Sequence, residues 1–396
     1  MVIARCDENV VGGSESLAWH WATLLKDRYE VDVLTTTALD LATWKNVLAP
    51  GKEKREGVNI HRFRVDQGRT PYWHELHNLL LRKFKDLNIA EGQSKQIRYI
   101  PWTLALQEEF IFKQGPYSQG LMDFLSGQWE DYKVIIFFTY LYPTTYWGMR
   151  QVPRSRCLFV PTLHHEAPAY LSAYRHMVQK ARGLLWNTDA EQRLGEALWG
   201  QVLGRVVGMG INTERSSPAQ LGYPYLLYCG RIDPYKGGRQ LLEYFLRYKQ
   251  ENPSPLRLLL TGKDELGLPK NPEIEYRGFV SEEEKFRLMA GALLFVMPSP
   301  HESLSIVTLE AMARGTPVLV NSKSPVLMDH IEKSQGGFAY QEYDGFAAAI
   351  DESLKNPSKG KEMGNCGREY VVTRYGLERI KTILFDVIEA REVAVG

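Results

Sequence analysis

The sequence predicts an α/β protein of two consecutive parallel-sheet domains followed by a helical tail. Three observations carry this. The chain has 396 residues, too many for one compact core and suited to two domains. Short apolar runs rich in β-branched residues alternate with amphipathic segments, the pattern of strands flanked by helices. One turn-rich stretch, residues 208–223 (GMGINTERSSPAQLGY), interrupts that alternation near the middle and suits a hinge.

In the first half strands are expected at 1–5, 30–36, 58–63, 133–139, 156–160, 184–187 and 201–207. Helices are expected at 15–26, at 190–198 and in parts of 74–129. That last stretch is long, aromatic and charged, with no clear strand, and reads as a helical elaboration. In the second half strands are expected at 224–229, 256–261, 274–276, 293–297 and 317–320. Helices are expected at 238–249, 282–291 and 304–314, and then mostly helix to the end. The expected domains are 1–207 and 208–369, with 370–396 as a C-terminal helix crossing back to the first domain.

Composition narrows the function. Apolar residues make up 44% and charged residues 24%, ordinary values for a globular protein. The 48 basic and 47 acidic residues leave a formal charge of +1, which provides no whole-protein field for drawing in nucleic acid. Cys6, Cys157, Cys229 and Cys366 are widely spaced and without a C-x-x-C pair, so neither a zinc site nor a disulfide framework is expected. No secretory signal or apolar run of about 20 residues is visible, so the expected location is cytoplasmic. A resting contact with the inner face of the plasma membrane stays open.

Four segments carry chemistry. Glu302 and Glu310 flank Ser-Leu-Ser-Ile-Val-Thr-Leu, after the run LLFVMPS and before Gly315-Thr-Pro317. A helix through this block would place Glu302 at its N-terminus and Glu310 about two turns in, on roughly the same side. A free helix N-terminus seats a diphosphate, and nearby carboxylates accept hydrogen bonds from hydroxyls. Gly230-Arg231-Ile-Asp-Pro-Tyr-Lys236-Gly237 follows the strand YLLYC. A basic, glycine-bounded loop between strand and helix is a phosphate-binding layout, in which Arg231 forks two oxygens and Lys236 adds a point charge. Val11-Gly12-Gly13-Ser14-Glu15 joins the first strand to the first helix, with Ser14 expected as the N-cap. Pro161-Thr-Leu-His164-His165-Glu166 follows the strand RCLFV, where polar residues are placed to meet a ligand.

Together VGGSE, GRIDPYKGG, TGKDE, RGFVSEEE and PSPHESLSIVTLEAMARGTPVLV resemble, in order and over nearly the whole chain, the retaining GT-B glycosyltransferases of family four. The resemblance implies two Rossmann-like domains facing across a cleft, in which a hexose passes from a nucleotide diphosphate sugar to an acceptor. It implies that Arg231 and Lys236 hold the diphosphate, that Glu302 contacts the donor sugar and that Glu310 contacts the ribose. Leu304, Ser305 and Ile306 would lie along the donor, Phe279 and Val280 near the base, and Gly13 near the diphosphate. His164 matches the acceptor-side histidine near the reaction centre, so the expected catalytic group is Glu302, His164, Arg231 and Lys236. The chain departs from the family at Ser303-Leu304-Ser305, where Gly-Phe-Gly is common, and at His165, where an Asp is common. Which of the two histidines faces the ligand stays open.

No D-x-D pair of the metal-dependent kind occurs, so no metal or other cofactor is expected. The donor expected by family frequency is UDP-glucose. The acceptor would be a saccharide or lipid-linked saccharide, in bacterial exopolysaccharide or envelope polysaccharide synthesis. Two other readings share the fold: a nucleotide-sugar-binding protein without turnover, and a sugar epimerase or phosphorylase. A nicotinamide-dependent oxidoreductase needs G-x-G-x-x-G, and Gly208-Met-Gly210 lacks the third glycine.

Overall fold

The computed structural model describes residues 1–10, 12–87 and 98–390. Val11 of the glycine turn, residues 88–97 of the helical elaboration and residues 391–396 of the tail lie outside the described residues. The chain divides into two compact units. Unit 1 comprises Met1–Met209 with Ile380–Gly396, and unit 2 comprises Gly210–Arg379.

Strands of unit 1 are β1 (Asp32–Thr36), β2 (Gly51–Arg55), β3 (Val58–Phe63), β4 (Ile135–Phe138), β5 (Cys157–Val160), β6 (Gly183–Trp186) and β7 (Gly204–Val206). They run in the orders β1-β3-β2 and β4-β5-β6-β7. The first residues join the two groups, because Val2 bridges in parallel to both Leu34 and Phe137. The expected strand at 1–5 is therefore present as a short central link, and the lateral order reverses beside it. Its helices are α1 (Gly13–Leu25), α2 (Pro71–Asp86), α3 (Leu104–Gln114), α4 (Gln119–Gln128), α5 (Pro143–Tyr146), α6 (Ser172–Val178) and α7 (Asp189–Trp199). Fully buried IIFF and CLFV explain why β4 and β5 read as continuous apolar runs. The elaboration comprises α2, α3 and α4. Trp73 is buried in the unit's core, while Trp102, Tyr117 and Trp129 are partly buried against it.

Unit 2 contains β8 (Tyr225–Cys229), α8 (Gly238–Glu251), β9 (Arg257–Thr261), β10 (Ile274–Tyr276), α9 (Glu282–Gly291), β11 (Leu294–Met297), α10 (Ile306–Ala313), β12 (Val318–Asn321), α11 (Pro325–Ser334), β13 (Gly337–Tyr340), α12 (Tyr343–Lys355) and α13 (Pro357–Tyr375). The order is β10-β9-β8-β11-β12-β13, with every pairing parallel. Direction along the sheet reverses between β8 and β11, and ligands of open α/β sheets bind at that point, beyond the strand C-termini.

The last helix, α14 (Leu377–Glu389), carries Ile380, Ile383, Leu384, Val387 and Ile388 into a core cluster of unit 1. The chain rejoins unit 1 at Ile380 rather than near residue 370. Tyr370, Val371 and Tyr375 are buried within unit 2, and Ile211 bridges to Gly376 there. Among the described residues no helix is long and apolar enough to cross a membrane.

Candidate functional site

The loops after β8 and β11 flank the reversal point of unit 2, and they are packed against each other. Gly237 sits at φ 74°, and a Cβ there would lie 2.4 Å from the carbonyl oxygen of Pro298. Only glycine fits both the left-handed backbone and this approach. Asp233, 3% exposed, folds the first loop by accepting the backbone N–H of Lys236 at 2.8 Å. Its other oxygen lies 3.5 Å from Arg231 Nε.

This folding aims Lys236 across the reversal point, where its ammonium donates to Glu302 Oε1 at 2.7 Å. Glu302 is largely buried, whereas Lys236 is one-third exposed. Arg231 stands more open, with a side chain 46% exposed. Tyr228 links the group: its hydroxyl donates to the Arg231 carbonyl at 2.5 Å, and burial followed by the charges of Glu302 and Asp233 pushes its phenol up. Arg231, Lys236 and Glu302 therefore share one neighbourhood.

Glu302 is not at the helix N-terminus, however. Ser305 caps α10 with φ 60° and ψ 64°, so Ile306 is the first helical residue and Glu302 lies in the loop ahead of it. Because that left-handed residue intervenes, helical spacing does not relate Glu302 to Glu310. Glu310 sits inside α10, largely buried, and pairs with Lys285 of α9 at 2.8 Å. Burial pushes its carboxyl above the ordinary value, against the pull of Lys285. The Ser305 side chain bonds Thr308 Oγ1 at 2.9 Å and caps no N–H of the first turn. The Thr308 N–H is taken by the Ser305 carbonyl at 3.0 Å, so a ligand at the start of α10 would be met by the N–H groups of Ile306 and Val307 ahead of it.

Leu304 is positioned by a residue that sequence reasoning missed. His330, fully buried on α11, lies 2.9 Å through Nε2 from the Leu304 carbonyl and 2.9 Å through Nδ1 from the Tyr370 hydroxyl. A carbonyl can only accept, so Nε2 carries the proton and Nδ1 accepts from Tyr370. Phe279 and Val280 lie between β10 and α9, at the same C-terminal edge of the sheet. Phe279 is 68% exposed, an unusual placement for a large apolar ring.

In unit 1, Gly12 rather than Ser14 is the N-cap of α1. Ser14 instead bonds Glu15, whose carboxylate holds Arg5 at 2.5 Å. A Cβ at Gly13 would meet nothing within 4 Å, so no packing inside the protein demands glycine there. Thr139 and Thr162, at the ends of β4 and β5, both have positive φ, and their hydroxyls bond each other at 3.1 Å. β-Branched residues rarely adopt that backbone, so strain is stored where the loops after β4 and β5 begin.

The two histidines differ in their surroundings. His165 packs against the rings of Phe84 and Tyr170, and burial lowers its pKa. His164 is half-buried, with Nε2 3.4 Å from Glu166, which also accepts from the Tyr140 hydroxyl at 2.5 Å. The loop is pinned from below by Glu191 of α7. Its carboxyl oxygens accept the N–H groups of Leu163 and Asn187, both at 2.5 Å. The spacing Thr188-x-x-Glu191 is a capping-box signature that marks this helix start, and Thr188 does accept from Glu191 N.

Glu191→Ala is expected to lower stability by about 2 kcal/mol, since two buried donors lose their acceptor. Thermal unfolding checks it. Burial pushes the Glu191 carboxyl from 4.5 up to about 8. Its contribution to folding is therefore full below 4.5 and is lost as pH rises through about 8. The melting temperature of the natural protein should fall over that interval relative to Glu191→Gln.

Residues 211–370 match the family model described as Glycosyl transferases group 1. The D-inositol 3-phosphate glycosyltransferase of Streptomyces avermitilis is 28% identical over 261 residues, covering 57% of this chain and 55% of that protein. The chain spans about half the length of the curated relatives it matches. Sucrose-phosphate synthase from Thermosynechococcus elongatus superposes with a TM-score of 0.67 at 17% identity, over 98% of both chains. Anabaena HepE, solved in complex with UDP-glucose, superposes with a TM-score of 0.64 at 16% identity, over 98% of this chain and 99% of its own. These likenesses give the fold, which is of the GT-B type.

Proposed function

We propose that the protein, whose residues 211–370 match the Glycosyl transferases group 1 model, is a retaining glycosyltransferase whose unit 2 holds a nucleotide diphosphate sugar. One observation carries the reading: Lys236 meets Glu302 at 2.7 Å where the strand order reverses, beside the uncapped start of α10. A cation, open backbone N–H groups and a carboxylate suit two phosphates and the hydroxyls of the attached sugar.

In this mechanism Arg231, Lys236 and the α10 N-terminus stabilise the charge that develops on the leaving diphosphate. The bond between the anomeric carbon and the phosphate oxygen breaks, and its electron pair leaves with the diphosphate. The acceptor hydroxyl forms the new bond on the same face, and its proton passes to a diphosphate oxygen. Glu302 accepts hydrogen bonds from the sugar, and Leu304, Ser305 and Ile306 line it. Glu310 faces the ribose in exchange for part of its pairing with Lys285. Unit 1 serves the acceptor through His164.

UDP-glucose is the proposed donor, a choice supported by the ligand named for the HepE structure. The proposed acceptor is a saccharide or lipid-linked saccharide of an exopolysaccharide or envelope polysaccharide, built in the cytoplasm without a metal ion. UDP release from UDP-glucose in the presence of EDTA, with the product anomer read by NMR, tests this. Release with retained configuration is expected. A protein that binds UDP yet releases none from any nucleotide sugar would instead be the non-catalytic module.

Phe279→Ala is expected to weaken UDP binding about tenfold, the worth of one base stacked on a ring. Because the ring is exposed, the melting temperature should stay unchanged. An unaltered affinity would remove Phe279 from the base site.

A further inference from the structure

We propose that Arg69 anchors an anionic group, a phosphate or a carboxylate, on the acceptor saccharide, and so sets the chemical class of acceptor. This rests on the glycosyltransferase reading above. Arg69 follows β3 and immediately precedes Thr70, the N-cap of α2. It is in a loop at the C-terminal edge of the sheet of unit 1, as are the segments holding Tyr142 and His164. Its backbone is fixed there by a hydrogen bond from its N–H to the Thr43 carbonyl at 3.3 Å.

The side chain is held flat. Its guanidinium carbon lies 4.2 Å from the ring centroid of Trp73. Trp73 in turn stacks on His77 at 4.6 Å with planes 10° apart, and on Phe110 at 5.8 Å. A guanidinium braced on a buried indole is already oriented and loses little freedom on binding.

What the guanidinium lacks is an anion. Arg5 has Glu15 at 2.5 Å, and Arg62 has Glu53 at 2.7 Å. Among the described residues no carboxylate lies within 4.0 Å of Arg69, and its buried Nε has no hydrogen-bond partner. Burial pulls its pKa down, opposed at longer range by Tyr142 and Asp40. Taking a cation out of water without a partner is costly, and an arriving anion recovers that cost.

The position connects this cation to the acceptor loop. His77, stacked in the same column, feels the charges of Glu166 and Arg69. Glu166 is the residue 3.4 Å from His164. The proposed saccharide therefore presents its anion to Arg69 and its hydroxyl to His164, both of which stand in loops at the same C-terminal edge of the sheet of unit 1.

The test is calorimetric titration of the full chain, saturated with UDP so that the diphosphate site is filled. Glucose, glucose 6-phosphate and glucuronate are titrated in turn, and vesicles of phosphatidylinositol or phosphatidylcholine are added in a sedimentation arm. At least one anionic probe should bind about tenfold or more tightly than its neutral counterpart. Phosphate and carboxylate are told apart by the two sugars, and soluble from membrane-borne phosphate by the vesicles.

In Arg69→Ala and Arg69→Gln the preference should vanish, while Arg69→Lys keeps part of it. Gln retains a side chain over Trp73, so it decides the matter should Ala fail to fold. Absence of any anionic preference in the natural protein, or its survival in both neutral variants, overturns the proposal. Failure to take up UDP at all would instead overturn the glycosyltransferase reading.

Discussion

Arg231→Ala and Lys236→Ala are each expected to cut turnover about a hundredfold, because a preorganised charge facing a developing anion is worth about 3 kcal/mol or more in the barrier. Their side effects should differ. Arg231 is nearly half exposed and meets the buried Asp233 at a loose 3.5 Å, and Asp233 keeps the Lys236 N–H as a donor, so loss of Arg231 should lower the melting temperature less than loss of Lys236. Lys236→Ala strands Glu302, whose side chain is only 10% exposed, so this variant should also melt earlier. Steady-state kinetics on UDP-glucose with parallel thermal scans separate the two effects. Near-natural turnover in both variants would remove these residues from the chemistry.

His330→Ala should have the largest effect on stability, about 3 kcal/mol, although the residue touches no part of the proposed donor. It leaves the Leu304 carbonyl and the Tyr370 hydroxyl without their partner and opens a cavity between α11 and α13. The donor loop should loosen with it, raising KM for the donor more than it lowers kcat. A pH signature identifies the mechanism. Burial lowers the His330 pKa from 6.5 to about 4, with the Leu304 contact pulling upward. The unfolded chain therefore binds the proton more readily. Stability from His330 is complete above 6.5 and is lost as pH falls through about 4. His330→Gln should flatten that limb of the melting curve, and an unchanged acid limb would contradict the assignment.

Much of this architecture is legible in the sequence because its strands are buried on both faces. YLLYC, LFVM and IIFF are uninterrupted apolar runs bounded by turns, and each is a strand. β2 is GKEKR, an exposed antiparallel edge beside β3, and has no apolar signal to read. β13 is only partly buried, so GFAY passes for part of the helical tail. Lys236 and Glu302 are recognisable because glycine and proline punctuate both loops. Their contact is not, since it depends on two loops meeting across 66 residues of chain.

The helix expected at 304 starts at Ile306 because Ser305 adopts a left-handed backbone, which serine identity does not announce. His330 gives no local sign at all. It is one histidine on an amphipathic helix, and its partners stand 26 and 40 residues away. Glu191 is intermediate: its capping box is readable, whereas its hold on Leu163 is a tertiary contact.

The most direct measurement compares UDP with UMP by calorimetry on the natural protein and on Lys236→Ala. If Lys236, Arg231 and the start of α10 grip two phosphates, UDP should bind far more tightly than UMP, and the gap should shrink sharply in the variant. Equal affinity for the two nucleotides, or a gap that survives loss of the ammonium, would contradict the account.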